Sequence, residues 1–270
     1  MDFIDTHCHI HEALHTPSHL YDGYPSAKPD LMLSAARSIG VTKVICVGTT
    51  LADSRLAVDF AQAKEGVWSA VGLHPHEAKV YFNGSSLKKN VIEEFTSLVT
   101  MSKVVAVGEC GLDYHYNHSP KSQQIDILRF QIELAIDHDL PIIFHVREAF
   151  VDFWPILNDY PNIKGVLHSF TDSSENLSLA LDRGLLIGVN GIATFAKTQD
   201  RLEIYRSIPL ESLLLETDSP FLTPTPYRGR MNEPKYVRLV AEYLSAIRGE
   251  DLNTLASVTT KNALKLFKME

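Results

Sequence analysis

Apolar residues along this chain fall into short, often β-branched runs separated by stretches of helical periodicity, and the two kinds of segment alternate from one end to the other. The run from Val41 to Thr49 is nearly continuous in hydrophobicity, as a strand buried on both faces should be. Similar runs follow Met1 directly and recur at residues 67–73, 104–109, 141–146, 165–169, 185–189 and 212–216. Helices are predicted between them near residues 30–39, 53–64, 87–100, 122–138, 149–158, 174–183 and 198–207, and two more, 233–248 and 252–266, close the chain. Residues 11–29 carry His11, His15, His19, Pro17, Pro25 and Pro29 without clean periodicity and read as a long loop. Strands alternating with helices in this way point to an α/β fold of the (β/α)8 TIM-type barrel class. An open doubly wound sheet is the alternative, and it needs a reversal of strand order that sequence does not display. The polar residues decide between the two: His7 and His9, His74, Glu109, His145, His168 and Asp218 all stand at the C-terminal ends of predicted strands. In a closed barrel those ends surround one site, whereas in an open sheet they spread along a line.

The 270 residues are 45% hydrophobic, enough for a sizeable core, and no linker, low-complexity run or short-period repeat interrupts them, so one domain spanning 1–270 is expected. Asp2 and a strand follow Met1 at once, leaving no room for a secretory leader. No apolar run approaches the roughly 20 residues needed to cross a bilayer. A soluble, cytoplasmic monomer without membrane contact is therefore expected. Cys8, Cys46 and Cys110 lie within predicted strands and read as reduced core residues. The net charge of −8, from 25 basic and 33 acidic residues, argues against a broad basic face for nucleic acid but not against a local site. Bound divalent cations would invert the sign inside a carboxylate-rich pocket.

On a strand the side-chain period is two, so in Asp5-Thr6-His7-Cys8-His9 the two imidazoles share a face while Cys8 points away. Two histidines about 6 to 7 Å apart along a strand can converge on one ion beyond its end; a pair of surface or hydrogen-bonded histidines is the plainer alternative. In Val107-Gly108-Glu109-Cys110-Gly111 a carboxylate ends an apolar strand between glycines, and a buried Glu calls for a cationic partner or a metal. His145 and His168 end β-branched runs, and Leu213-Leu214-Leu215-Glu216-Thr217-Asp218 drives two carboxylates out of a run of leucines. Asp218 reads as ligand and catalytic carboxylate, Glu216 as a supporting group.

Taken together, DTHCH at 5–9, VGLHPHEA at 71–78, VGECGLDY at 107–114, FHVREA at 144–149, HSFTDS at 168–173, GVNGIATF at 188–195 and ETDSPFLTPTPYRGRMNEP at 216–234 resemble the TatD-type metal-dependent deoxyribonucleases of the amidohydrolase superfamily, over the full length and in order. The resemblance implies a barrel with two divalent metal ions, Zn²⁺, Mn²⁺ or Mg²⁺, held by His7, His9, Glu109, His145, His168 and Asp218, with Glu109 bridging. It further implies hydrolysis of DNA phosphodiesters from an end. A barrel site at the bottom of a funnel of strand-end loops, with an acidic exterior, points to single-stranded or frayed DNA, and a 3′-end exonuclease on such strands is expected. Asp218 would be the general base, His74 would contact the phosphate or protonate the leaving oxygen, and Arg147 and Arg228, with Arg230 as a further candidate, would bind backbone phosphates. The same metals can hydrolyse another ester on a nucleotide-bearing substrate, such as an aminoacyl-tRNA, and that is the alternative. Two positions depart from the family pattern: Asp172 stands in the loop after the sixth strand, and Cys110 where an aliphatic residue is usual.

Overall fold

The computed structural model describes residues 1–14, 28–116 and 118–269. Its first half runs β1 (Phe3–Cys8), α1 (Pro29–Ser38), β2 (Val41–Val47), α2 (Leu51–Gln62), β3 (Val67–Val71), α3 (Lys89–Val99), β4 (Val104–Asp113) and α4 (Lys121–Asp137). The second half continues with β5 (Ile142–Arg147), α5 (Phe150–Asn158), β6 (Gly165–Leu167), α6 (Ser174–Asp182), β7 (Leu186–Val189), α7 (Gln199–Ser207), β8 (Leu213–Leu215), α8 (Val237–Arg248) and α9 (Leu252–Phe267). The eight strands are ordered β1 to β8 in one sheet. A parallel bridge from Cys8 to Ser219, just past β8, returns the order to β1, which makes this the (β/α)8 barrel that the alternation predicts. Two compact units make up the chain, Met1–Cys46 with Ser169–Glu270, and Val47–His168.

In the first unit β1 pairs in parallel with β2, Asp5 opposite Val44 and Cys8 opposite Cys46, and β7 pairs in parallel with β8. All six residues of β1 are buried, including Asp5, Thr6 and His7. Buried polar groups need partners, and here the end of β8 supplies them. Thr6 Oγ1 donates to the Leu215 carbonyl at 3.0 Å. Asp5 accepts from the Thr217 amide at 2.9 Å and from its hydroxyl at 2.6 Å. Burial raises the Asp5 carboxyl well above the ordinary range even though the bonds from Thr217 pull it back. Behind these strands α9 buries Leu255, Ala256, Ala263 and Phe267.

In the second unit β4 and β5 pair in parallel, but the register shifts between Val107 and Cys110. The strand was expected to end at Glu109; it continues to Asp113, because a bulge absorbs Gly108 and Glu109 and the ladder resumes with Cys110 opposite Phe144 and Gly111 opposite His145. Helix α4 clamps the backbone on either side of this site with two fully buried amides. Gln131 exchanges two hydrogen bonds with Leu73, at 2.8 and 3.0 Å, and Gln124 exchanges two with Asp113, at 2.8 and 3.1 Å.

The other predicted elements lie within a few residues of their observed bounds. The helix expected from 233 starts at Val237, after a 3₁₀ turn at Pro234–Tyr236. Four further short features were not foreseen: 3₁₀ turns at Pro75–Tyr81, Gly191–Phe195 and Leu210–Ser212, and a hairpin pairing Phe82–Asn83 with Ser86–Leu87. In the loop expected over 11–29, Ile10–Leu14 form a 3₁₀ turn, α1 begins at Pro29, and residues 15–27, with His15 and His19, lie outside the described residues. Cys8, Cys46 and Cys110 are buried and unbridged, as expected. No helix among the described residues is long and apolar enough to cross a membrane.

Asp5→Ala strips the acceptor from two buried donors of Thr217, and each such loss costs about 1–3 kcal/mol. Urea unfolding should show a stability loss of about 2–6 kcal/mol, and an unchanged midpoint would show that Asp5 does not hold the end of β8.

Candidate metal centres

In the first unit the strand end is laced to the segment after β8. The Asp218 amide donates to the His7 carbonyl at 2.8 Å and the His9 amide to the Ser219 carbonyl at 2.6 Å, while Asn232 Nδ2 donates to the Thr217 carbonyl at 2.8 Å. These bonds carry Asp218 to the two imidazoles that strand periodicity already placed together. His7 Nε2 lies 3.1 Å from His9 Nε2, and Asp218 Oδ1 lies 3.5 and 3.3 Å from the two. Ligands about 2.0–2.1 Å from a tetrahedral ion stand ~3.3 Å from one another, so these three donor atoms already have the spacing of one face of such a site. Two imidazoles and a carboxylate are a donor set that suits Zn²⁺ or Mn²⁺.

The same unit places Arg228 over the Phe195 ring at 4.6 Å, on the wall of an open pocket of about 670 Å³ that Arg230 and the exposed Phe221 also line. Phe221 in turn approaches His9, ring centroids 6.3 Å apart, so the pocket lies beside the trio. Glu216, fully buried, accepts from the Ser169 amide at 2.7 Å and from Asn190 Nδ2 at 3.3 Å, as a supporting carboxylate should.

In the second unit the centre is Glu109. Its Oε1 lies 2.7 Å from His145 Nδ1 and 3.6 Å from both His74 Nε2 and His168 Nε2. The backbone that carries it leaves no room for side chains next door: a Cβ on Gly111, where φ is +154°, would come within 1.9 Å of the His145 carbonyl oxygen. His145 stands between two carboxylates, with Nε2 2.9 Å from Asp113 Oδ2. Desolvation works against its charged form, but the bonds to Asp113 and Glu109 outweigh it and raise the imidazole to about 9. Desolvation and the charge on His145 push His74 the other way, down to about 4. His74 Nδ1 also accepts from the His76 amide at 3.2 Å, capping the turn that follows. A neutral imidazole whose Nδ1 is an acceptor carries its proton on Nε2, so His74 presents a donor towards Glu109.

Asp113 is the residue that sequence reasoning passed over. It is fully buried, and its Oδ1 accepts from the amides of His115 and Tyr116 at 3.0 and 3.1 Å. Burial would raise its carboxyl, yet the His145 hydrogen bond and those amides hold it well below the ordinary carboxylate range. A carboxylate fixing the far nitrogen of an imidazole is how metal-binding histidines are oriented. Alternation puts residues 111 and 113 on one face, a signal that counts only once the strand is known to run past Glu109. Arg147 is exposed, and its guanidinium lies 4.8 Å over the Tyr116 ring.

A family profile described as TatD related DNase matches residues 4–268. The chain belongs to that family. It is 33% identical over 267 residues to the uncharacterized metal-dependent hydrolase YabD of Bacillus subtilis (strain 168), covering 98% of each chain. It is 34% identical over 245 residues to a 3′-5′ ssDNA/RNA exonuclease TatD of Cronobacter sakazakii (strain ATCC BAA-894), covering 88% of this chain and 91% of the relative. The crystal structure of YjjV, a TatD homologue from Escherichia coli K12, superposes with a TM-score of 0.85 at 28% identity, over 99% of this chain and 98% of that one. Membership in the TatD family makes the chain a metal-dependent hydrolase, and the donor groups around Asp218 and around Glu109 are what such chemistry requires.

Asp113→Asn keeps the acceptor for the two loop amides but weakens the hold on His145. Metal affinity, measured against a chromogenic chelator, should fall about 10- to 100-fold with little change in the thermal midpoint; unchanged affinity would remove Asp113 from the centre.

Proposed function

We propose that this TatD-family chain is a phosphodiesterase that uses two divalent cations to trim single-stranded DNA from its 3′ end, acting as a one-domain cytoplasmic monomer. The observation that carries this reading is the spacing of His7 Nε2, His9 Nε2 and Asp218 Oδ1, all 3.1–3.5 Å apart. One cation would be held by that trio and one by Glu109, His145 and His168. When bound, such cations lower the pKa of water and offset charge on phosphoryl oxygens.

The chain's own groups then divide the remaining work. Asp218, half-buried, accepts the proton of the attacking water. His74 offers its Nε2 proton as a hydrogen bond to a phosphate or leaving oxygen. Arg228, on the pocket wall beside His9, and Arg147 bind backbone phosphates. Several relatives carry the name 3′-5′ ssDNA/RNA exonuclease, which supports a single-stranded substrate and a 3′ start. So does the shape of the fold class: a site on the floor of the loops at barrel strand ends admits a single strand more readily than a duplex about 20 Å wide.

Elemental analysis after reconstitution with Zn²⁺ or Mn²⁺ should find about two ions per chain. Glu109→Gln should lower both metal content and turnover, whereas Asp218→Asn should cost at least about 10²-fold in rate with most metal retained, as for a general base. Equal metal loss in the two variants would cancel this division of roles.

A time course on end-labelled single strands of DNA and RNA, linear duplex and closed circular duplex, at matched salt and metal, tests the substrate. Single-stranded DNA should shorten from its 3′ end fastest. Nicking of closed circles at the same rate would overturn the end-directed reading, and hydrolysis of an aminoacyl ester without any cut phosphodiester would replace it.

A further inference from the structure

The segment between β4 and α4 carries rings that the reaction does not use. Tyr116 is 51% exposed, and His118, also exposed, lies parallel to it, with 7° between the ring planes and 5.5 Å between centroids. Arg147 sits over the Tyr116 ring at 4.8 Å. An aromatic pair left this open to water adds little to stability, because most of its apolar area is not buried. The pair is nonetheless held in place. At one end the amides of His115 and Tyr116 are tied to Asp113; at the other, Ser119 donates to the His76 carbonyl at 2.7 Å, accepts from the Lys79 amide at 3.0 Å, and its own carbonyl accepts from Gln124 at 2.9 Å. A ring surface fixed in advance costs little entropy when a flat ligand settles on it.

The rings also lead somewhere. His76 meets His118 at 4.7 Å and Tyr116 at 5.5 Å between centroids, and meets His74 at 4.4 Å, which in turn lies 4.5 Å from His145. Asp113 is common to both ends of this series, since it fixes His145 with one oxygen and the Tyr116 loop with the other. A ligand on the exposed pair is thus held in register with the Glu109 group.

We propose that the Tyr116–His118 pair, backed by Arg147, is a stacking platform for a nucleobase of the single-stranded polynucleotide. This rests on the nuclease reading above and adds to it the part of the substrate that is gripped. Every base has a π-face, so such a platform is tolerant of sequence, and the arginine adds a cation–π contribution. A base paired within a duplex does not present its face, so the platform selects for single strands. The two rings themselves touch neither sugar nor phosphate, which are left to Arg147, and DNA and RNA are equivalent to them.

The test is fluorescence anisotropy with the full chain carrying Asp218→Asn and loaded with Mn²⁺, so that strands bind but are cut slowly. Labelled oligonucleotides bearing bases are compared with strands of equal length whose sugars are abasic, in deoxy and ribo forms. Base-bearing strands should bind about fivefold to 150-fold more tightly, equally in both forms. Tyr116→Ala should abolish that difference and Tyr116→Phe should keep it. Equal binding of base-bearing and abasic strands, no binding of either, or a preference that survives Tyr116→Ala overturns the platform. Cleavage is scored separately on the unsubstituted chain. Cut strands without a base-dependent gain would sink the platform and leave the nuclease reading standing; a base-dependent gain with no cleavage would do the reverse.

Discussion

A carboxylate and an imidazole packed together away from water are stable only while a proton or a metal cation lies between them. Each unit of this chain is arranged around that constraint. His145 is the clearest case: both ring nitrogens face carboxylates, Glu109 at 2.7 Å and Asp113 at 2.9 Å, and the imidazole holds its proton up to about 9. A metal ion held by this ring and Glu109 would take the place of the proton between them. The bond from Nε2 to Asp113 would persist through that exchange and keep the ring oriented. In the first unit His7, His9 and Asp218 stand in the same relation, with a carboxylate oxygen within 3.5 Å of both imidazoles.

Side chains so constrained need a backbone that does not drift, and the two units achieve this by one device. A buried polar side chain from another element grips the main chain one residue before, or directly at, a residue of the centre. Asp5 grips Thr217, before Asp218; Gln131 grips Leu73, before His74; Gln124 grips Asp113 itself. In each case the gripped segment lies at or just past the end of a strand, Thr217 and Leu73 beyond the ladder and Asp113 at its last pair. The grip is costly to build, since a fully buried amide or carboxyl must find all its partners. It is also specific, because the same group holds nothing if the segment shifts by one residue.

Most of the fold was legible because its signals are local. Eight apolar runs of strand length alternate with helical periodicity, and that alternation survives without knowledge of any contact. The pairing of His7 with His9 was legible for the same reason, since strand period alone puts them on one face. Asp113 was not, because the expected strand stopped at Glu109. Reading on to Asp113 requires knowing that Gly108 and Glu109 are absorbed in a bulge and that β5 continues to pair beyond it, which is a property of the neighbouring strand. The 3₁₀ turn at Pro75–Tyr81 was hidden in a similar way. Its cap is the His74 side chain, so the residue singled out for chemistry also starts the turn, and periodicity does not report a turn this short. The role of Arg147 was read from its charge, whereas its position is set by a ring, Tyr116, that lies 31 residues away in sequence by residue number.

The chain's acidity sharpens what its contacts must do. At a net charge of −8 the molecule as a whole repels a polyanion, and the repulsion grows with the length and charge density of the nucleic acid that comes within about 10 Å of its surface. Attraction therefore has to be local, and the two kinds available behave differently. Metal cations and arginines act on phosphates and weaken with salt. The stacking proposed for Tyr116 and His118 would be carried by apolar and dispersion contact and be much less sensitive to it. An acidic protein that grips bases as well as phosphates gains most of its preference on short unpaired segments, where the repulsive charge is smallest and the bases are open. Duplex offers the opposite combination, with more charge and no exposed face. On the proposed reading, the charge balance and the exposed rings, which look unrelated in the sequence, favour the same substrate.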